Sequence, residues 1–300
     1  MRTLKIYLHT DDFAATRRMT EGMLDRWKHG CLDGFSIMAN GDAVEFGQSA
    51  LQAEPSRSAR LVAHLNLSEG ASSVPPAQVP LLVDLNGMLR HGFGSLALAW
   101  LLGGRKHRQS LVAQVELEWR AQIRTIARLV GPRKLDGIDG HVHVHMLPFL
   151  FPVAARLASE FGIPIIRVSR EPFHLEHGWK DLLSASVLVN LLKHGVLRAC
   201  AICNTAIVAK QGLEAPDFVV GILYSGRMTA AAALAGIAAA KRRGARSVEV
   251  IFHVGRAGAE ETARWGERHA FADFPRSYKR DLEFAELALL HEALKRCGER

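Results

Sequence analysis

The chain has 300 residues, with 38 Lys+Arg against 30 Asp+Glu for a formal charge of +8, and a sequence pI of about 9.6. Its 48% hydrophobic and 23% charged residues are enough to bury a large core, which excludes wholesale disorder. The basic residues are spread along the whole length and concentrate locally only at Gly104–Arg108 and Lys241–Arg246, so the charge does not mark a nucleic-acid binder.

In chain order, the first apolar stretch carries Lys5 and meets Asp11 and Asp12 before a signal-peptide core can develop, so no secretory leader is read. Leu4–His9 reads as a strand, Ala14–His29 as a helix, Phe35–Ala39 as a strand, Ala43–Ala53 as a helix and Leu61–Leu67 as a strand. Gly, Pro and Ser then cluster at Glu69–Pro80, which reads as a long loop. The apolar run Gly92–Gly104 precedes a helix at Ser110–Leu129. Next come a strand at Leu135–Ile138, a helix at Phe149–Glu160, a strand at Ile163–Val168 and a helix at Lys180–Leu197. The rest reads as a strand at Phe218–Tyr224, a helix at Thr229–Arg243, a strand at Val248–Phe252 and a helix at Lys279–Lys295.

Strands alternating with helices imply parallel strands joined by crossovers. About seven such units, with no repeat and no dividing linker, predict an α/β fold: a distorted (β/α) barrel in one domain over 1–300, in preference to a doubly wound sheet. Gly92–Gly104 and Met228–Ala240 fall short of the roughly 20 residues a spanning helix needs. Cys31, Cys200, Cys203 and Cys297 make no disulfide framework, so free thiols and a cytoplasmic location are expected. The Cys200-Ala-Ile-Cys203 pair lies in an apolar run and reads as buried structural thiols.

Several strand-like runs end in acids or histidines. Leu4–His9 runs into Asp11 and Asp12, Leu61–Ala63 meets His64, Leu135–Ile138 leads to Asp139 and then His141, His143 and His145, and Val248–Phe252 delivers His253. Parallel α/β folds place ligand sites at the carboxyl ends of strands, so these groups would converge. Read singly, each has a plainer explanation: Asp11 or Asp12 as a helix cap, His64 as a satisfied core histidine. The triplet is harder to explain away, because period-2 alternation in an extended segment puts its three imidazoles on one face. A divalent cation held by a carboxylate and two imidazoles serves hydrolysis or, with iron(II), oxygen chemistry. An extra acid, Asp11, and a histidine from another strand, His253, favour hydrolysis, which needs a base and an acid.

Thr10-Asp-Asp-Phe13, Ser36-Ile-Met-Ala-Asn-Gly41, His64-Leu-Asn-Leu-Ser-Glu-Gly70 and Asp139-Gly-His-Val-His-Val-His-Met-Leu-Pro148 resemble, in order, the motifs of the YdjC-like (ChbG) carbohydrate deacetylases. With the strand ending in His253 and the tail Tyr278–Leu289, the resemblance covers essentially the whole chain. It implies a barrel related to the polysaccharide deacetylases, one divalent metal ion (zinc or magnesium foremost), and removal of acetyl groups from N-acetylated sugars. By the same resemblance Asp12, His64 and His141 are the metal ligands, Asp11 the general base and His253 the general acid. His143, His145, Asn40, Asn66 and Glu69 are implied as sugar contacts or as groups supporting the ligands. Two positions depart from the family pattern: Ala14 stands where glycine follows Asp-Asp-Phe, and His253-Val-Gly255 stands for His-Pro-Gly.

The substrate expected from the resemblance is a chito-oligosaccharide or another N-acetylglucosamine sugar. Phe93–Leu102 followed by Arg105-Lys-His-Arg108 reads either as a core helix with a solvated end or as a peripheral contact with the inner face of a membrane. The second reading would admit a lipid-linked sugar, such as a glycosylated hopanoid or polyprenyl sugar. A sugar-binding protein without turnover and an iron(II) oxygenase are the competing readings, and a homodimer is the default assembly.

Overall fold

The apolar runs pair side by side in the computed structural model, which describes residues 4–262 and 269–299. β1 (Lys5–Phe13), β2 (Gly34–Ile37), β3 (Arg60–Leu65), β4 (Gly137–Gly140), β5 (Ile165–Ile166), β6 (Phe218–Val220) and β7 (Ser247–Phe252) form one seven-stranded sheet. Their order is β5-β4-β3-β2-β1-β7-β6 and every pair is parallel. Parallel neighbours require crossovers. These are α1 (Arg17–Lys28), α2 (Val44–Gln52), α3 (Phe93–Leu102) with α4 (Arg105–Val130), α5 (Phe151–Glu160), α6 (Ala185–Lys210) and α7 (Ala230–Arg242). The chain ends in α8 (Ala259–Thr262), α9 (His269–Arg276) and α10 (Lys279–Arg296). The sheet curls into a half-barrel whose edges approach without full pairing: Ile165 bridges Glu214, and the Val219 N–H donates to the Arg170 carbonyl at 2.9 Å.

The expected strands at Ile163–Val168 and Phe218–Tyr224 are cut short for identifiable reasons. Pro164 has no N–H to give the ladder. At β6 the buried Glu171 carboxylate accepts the N–H groups of Gly221, Ile222 and Leu223 at 2.7, 3.2 and 2.7 Å, diverting them from strand pairing. Thr16, not Asp11 or Asp12, caps α1, its hydroxyl accepting from the Met19 N–H.

Three expectations about apolar segments change. Phe93–Leu102 is a helix, but only Leu96 of it is buried, so it is not a core helix. The helix expected at Lys180–Leu197 runs instead over Ala185–Lys210, merging with the following apolar run; Val187–Lys210 is long and apolar enough to cross a bilayer, with a mean hydropathy of 1.3. Cys200 is buried and Cys203 exposed, and all four cysteines are free.

The barrel centre holds charge. Arg167, just past β5, is fully enclosed and reaches carboxylates from three strands. Its guanidinium pairs with Asp11 through two 3.0 Å hydrogen bonds, with Asp139 at 2.5 Å and with Glu249 at 2.8 Å. A guanidinium stays protonated and offers five donors in a planar fork, which suits a node shared among carboxylates. Burial opposes ionisation of Asp11, Asp139 and Glu249, and Arg167 outweighs it, holding all three below the usual carboxylate range. Replacing Arg167 by Met strands these charges, and we expect a loss of about 3–5 kcal/mol in urea unfolding at pH 7, partly recovered as acid neutralises the carboxylates.

Candidate active site

Strict alternation along β1 would send Asp11 and Asp12 to opposite faces. The ladder prevents this: Thr10 pairs with Phe35 and Phe13 with Ile37, leaving an extra residue on β1, and Asp12 adopts φ 69°. Both acids end up in one cavity at the carboxyl end of the sheet.

β3 and β4 supply the facing groups. His64 hydrogen-bonds Asp139 Oδ1 through Nδ1 at 2.7 Å, and Asp139 is held in turn by the Ser36 hydroxyl and Arg167, both at 2.5 Å. That partner orients the ring so that Nε2 lies 3.5 Å from Asp12 Oδ1 and 3.3 Å from His141 Nδ1. His141 follows β4 directly, with Nδ1 2.9 Å from Asp12 Oδ1 and Nε2 3.2 Å from Glu69 Oε1. Asp12 Oδ2 also meets Arg280 of α10 at 3.3 Å.

Asp12, His64 and His141 each offer a ligand atom, all within 4.8 Å of one another, and the donor chemistry suits a divalent cation. The charge balance agrees. Asp11, Asp12, Glu69, Asp139, Glu249 and Glu283 are all buried around the site, against the fixed cations Arg167 and Arg280 and the amine of Lys193, whose charge burial disfavours. Two histidines offset part of this excess: burial disfavours their charge, but Asp139 and Asp12 raise His64 to about 9, and Glu69 and Asp12 lift His141 well above its usual value. His9, Asp11 and Asp139 form a second acid and histidine cluster, but the Arg167 guanidinium already bridges its carboxylates.

The cavity measures about 270 Å³ and is also lined by Glu69, His143, Lys193, Ser225, His253, Phe274 and Pro275. His253 packs edge-on against Phe274 with ring centroids 5.1 Å apart. Its N–H donates to Glu283 Oε2 at 2.6 Å, and its Nδ1 lies 3.6 Å from the same oxygen. Arg280 donates to the carbonyls of Gly255 and Val254 at 2.7 and 3.4 Å, so α10 supplies the loop support that the family's proline would give.

The extended face expected of His141, His143 and His145 does not form. Residues His141–Met146 coil into a tight turn with Val142 at φ 43° and His143 at φ 59°. His141 alone joins Asp12 and His64. His143 lines the cavity and meets the Ser169 hydroxyl at 2.9 Å, while His145 hydrogen-bonds the Arg167 carbonyl at 2.8 Å away from the cavity. Burial lowers both, His145 to about 4.

Asn40 and Asn66 lie outside the cavity wall. Each donates to the Glu69 carbonyl at 2.7 Å, and Asn66 Oδ1 accepts from the Ser68 and Glu69 N–H groups, so the pair braces the loop carrying Glu69. Glu118 and Gln122 of α4 clamp the same loop from behind. Arg167, Lys193, Glu283 and Arg280 escaped the sequence reading; only the alternation of Glu118 and Gln122 at i and i+4 within an apolar helix face offered a local signal. A wider depression of about 800 Å³ opens at the other end of the strands, lined by Lys5, Tyr7 and Arg60 among others, away from these groups.

The model of the family described as "YdjC-like protein" matches residues 5–298. The chain belongs to the YdjC-like family. It is 29% identical over 162 residues to a carbohydrate deacetylase of Oceanobacillus iheyensis, covering 54% of this chain and 64% of that one. It is 26% identical to a carbohydrate deacetylase of Danio rerio, covering 75% and 66%, and 25% identical to a chitooligosaccharide deacetylase of Escherichia fergusonii, covering 55% and 60%. The matched regions thus span just under two thirds of these relatives' lengths. A crystal structure of a protein described as a cellobiose-phosphate cleavage protein, from Enterococcus faecalis, superposes with a TM-score of 0.68 at 18% identity, over 98% of this chain and 95% of its own; it shares the fold.

The YdjC-like motifs acquire physical reasons here. Ala14, where the family pattern has glycine, sits at φ 70°, a backbone region that favours glycine. A side chain at Gly41 would strike the Ala14 carbonyl. The raised histidines give a pH prediction. A group whose folded value lies above its unfolded one stabilises fully below the unfolded value and loses that contribution as pH rises through the folded one. Metal-stripped protein should therefore lose stability between pH 6.5 and about 9, the His64 interval, in thermal melts. A bound divalent cation, which replaces the proton on the imidazole, should flatten that decline.

Proposed function

We propose that the protein is a metal-dependent deacetylase that hydrolyses the N-acetyl group of an N-acetylated sugar, chito-oligosaccharide-like or glycolipid-linked, to acetate and an amino sugar. The observation that carries this reading is the meeting, in one cavity, of the Asp12, His64 and His141 group with the carboxylate of Asp11 and the imidazole of His253. The names of the relatives support the substrate class.

Asp12, His64 and His141 would hold the cation, with zinc the best match to two imidazoles and a carboxylate and magnesium the main alternative. Bound there, the ion would make a water more acidic and polarise the acetamide carbonyl. Asp11 takes the proton from the attacking water. Burial opposes its charge, but Arg167 holds it ionised, below the usual carboxylate range, so it can accept a proton. His253, held at its backbone by Glu283, donates a proton to the departing amine. Phe274 and Pro275 wall that side of the cavity, and Lys193 and Ser225 offer polar contacts for sugar hydroxyls.

Acetate release from N-acetylated mono-, oligo- and lipid-linked sugars should require a divalent metal and cease on chelation. Asp11→Asn should lower kcat by about 10²–10⁴ with metal content unchanged; an unaltered rate would remove Asp11 as the base. His253→Gln should slow amide hydrolysis by about 10²-fold or more, but spare an activated aryl acetate, whose leaving group needs no proton. Equal losses on both substrates would refute its role as the acid.

A further inference from the structure

α6 contains no acidic residue, and neither do residues 91–115 or 182–213 as a whole, although the chain carries 30 Asp+Glu. The same two segments carry the basic groups Arg105, Lys106, Arg108, Lys193, Arg198 and Lys210. They also carry much of the exposed apolar surface. On α6, Val189, Leu192 and Val196 recur at helical spacing on the outer face, with Leu192 72% exposed. Beside α6 the turn Gly178–Leu183 exposes Trp179 and Leu183, and on α3 Leu101 and Leu102 are open to solvent. α3 and α6 both pack on the His141–Met146 turn, so these surfaces flank the site, and Lys193 of α6 lines the cavity itself.

α6 is long and apolar enough to span a bilayer, but its inner face ties it to the barrel. Asn190 donates to the Leu223 carbonyl at 3.1 Å and Asn204 to the Met146 carbonyl at 2.8 Å, and His194 bonds the Glu171 carbonyl at 3.0 Å. Val187, Leu197 and Val208 are buried in the core. A helix pinned along one face and apolar on the other lies in an interface plane. Arg105 and Lys106 stand exposed just after Leu101 and Leu102 of α3, and residues 91–115 and 182–213 hold no acid to offset them, so anionic headgroups complement this surface better than a second copy of it would.

We infer that the outer face of α6, with the Gly178–Leu183 turn and the end of α3, docks the protein onto an anionic phospholipid surface, setting the mouth of the cavity at the headgroup level. This docking does not depend on the reaction proposed for the cavity, and its test reads no catalysis.

The purified full-length protein should co-sediment with vesicles of phosphatidylcholine and phosphatidylglycerol, less with phosphatidylcholine alone, and less at high salt. Val189→Glu combined with Val196→Glu should weaken binding about tenfold or more while circular dichroism and the melting temperature stay near wild type. Arg105→Ala with Lys106→Ala, at an exposed helix start, should weaken binding and flatten its salt dependence without touching the apolar face. Failure of the wild type to bind anionic vesicles overturns the inference. So does a folded glutamate variant that binds as well as wild type. A wild-type dimer that the glutamate pair converts to monomer, with no vesicle binding by either, would assign the face to a second copy instead.

Discussion

The arrangement depends on one buried cation. Arg167 stands in the barrel centre, where water cannot screen charge, and binds carboxylates from β1, β4 and β7 at once. Because a guanidinium does not give up its proton in a protein, it keeps Asp11 and Asp139 ionised where burial alone would neutralise them. The consequence passes outward through hydrogen bonds. Asp139, ionised, accepts from His64 Nδ1 and so turns Nε2 toward Asp12. The side chain that balances the core thus also aims the first imidazole and holds the carboxylate beside it.

Two departures from regular backbone complete the site. The bulge in β1 brings adjacent acids to one side of the sheet, and the turn after β4 separates three alternating histidines so that only His141 meets Asp12 and His64. Both use positive φ at residues with side chains, a conformation that surrounding contacts must enforce. The opposite wall comes from far along the chain: Glu283 and Arg280 of α10 hold the loop after β7 that presents His253. Closing the chain end over the barrel is therefore part of building the cavity, not only of covering the core.

The +8 charge takes on a different meaning once the acids are located. Several of the carboxylates are withdrawn into the barrel centre and the cavity, while Arg105, Lys106 and Arg198 stay outside. The outer surface near α3 and α6 is consequently more basic than the composition suggests, and that basic character adjoins apolar helix faces rather than a groove suited to nucleic acid.

The alternation of short apolar runs with amphipathic segments already determined parallel strands, crossovers and a barrel-like sheet, because burying both faces of a strand leaves a local record in composition. The strand ends also told where Asp11, Asp12, His64, His141 and His253 would gather, since a parallel sheet presents all its carboxyl ends together. Side-chain direction was not recorded in this way. Alternation misplaced His143 and His145 because the segment is coiled, and it could not show how adjacent Asp11 and Asp12 reach one cavity, because that depends on a bulge set by pairing with β2. Arg167, Lys193 and Glu283 have no local signature at all: each matters through partners at least 22 residues away or through a cavity wall built by several elements. Which charges share the barrel centre, and which helix face is left uncovered, are properties of distances between segments, and only the tertiary structure decides them.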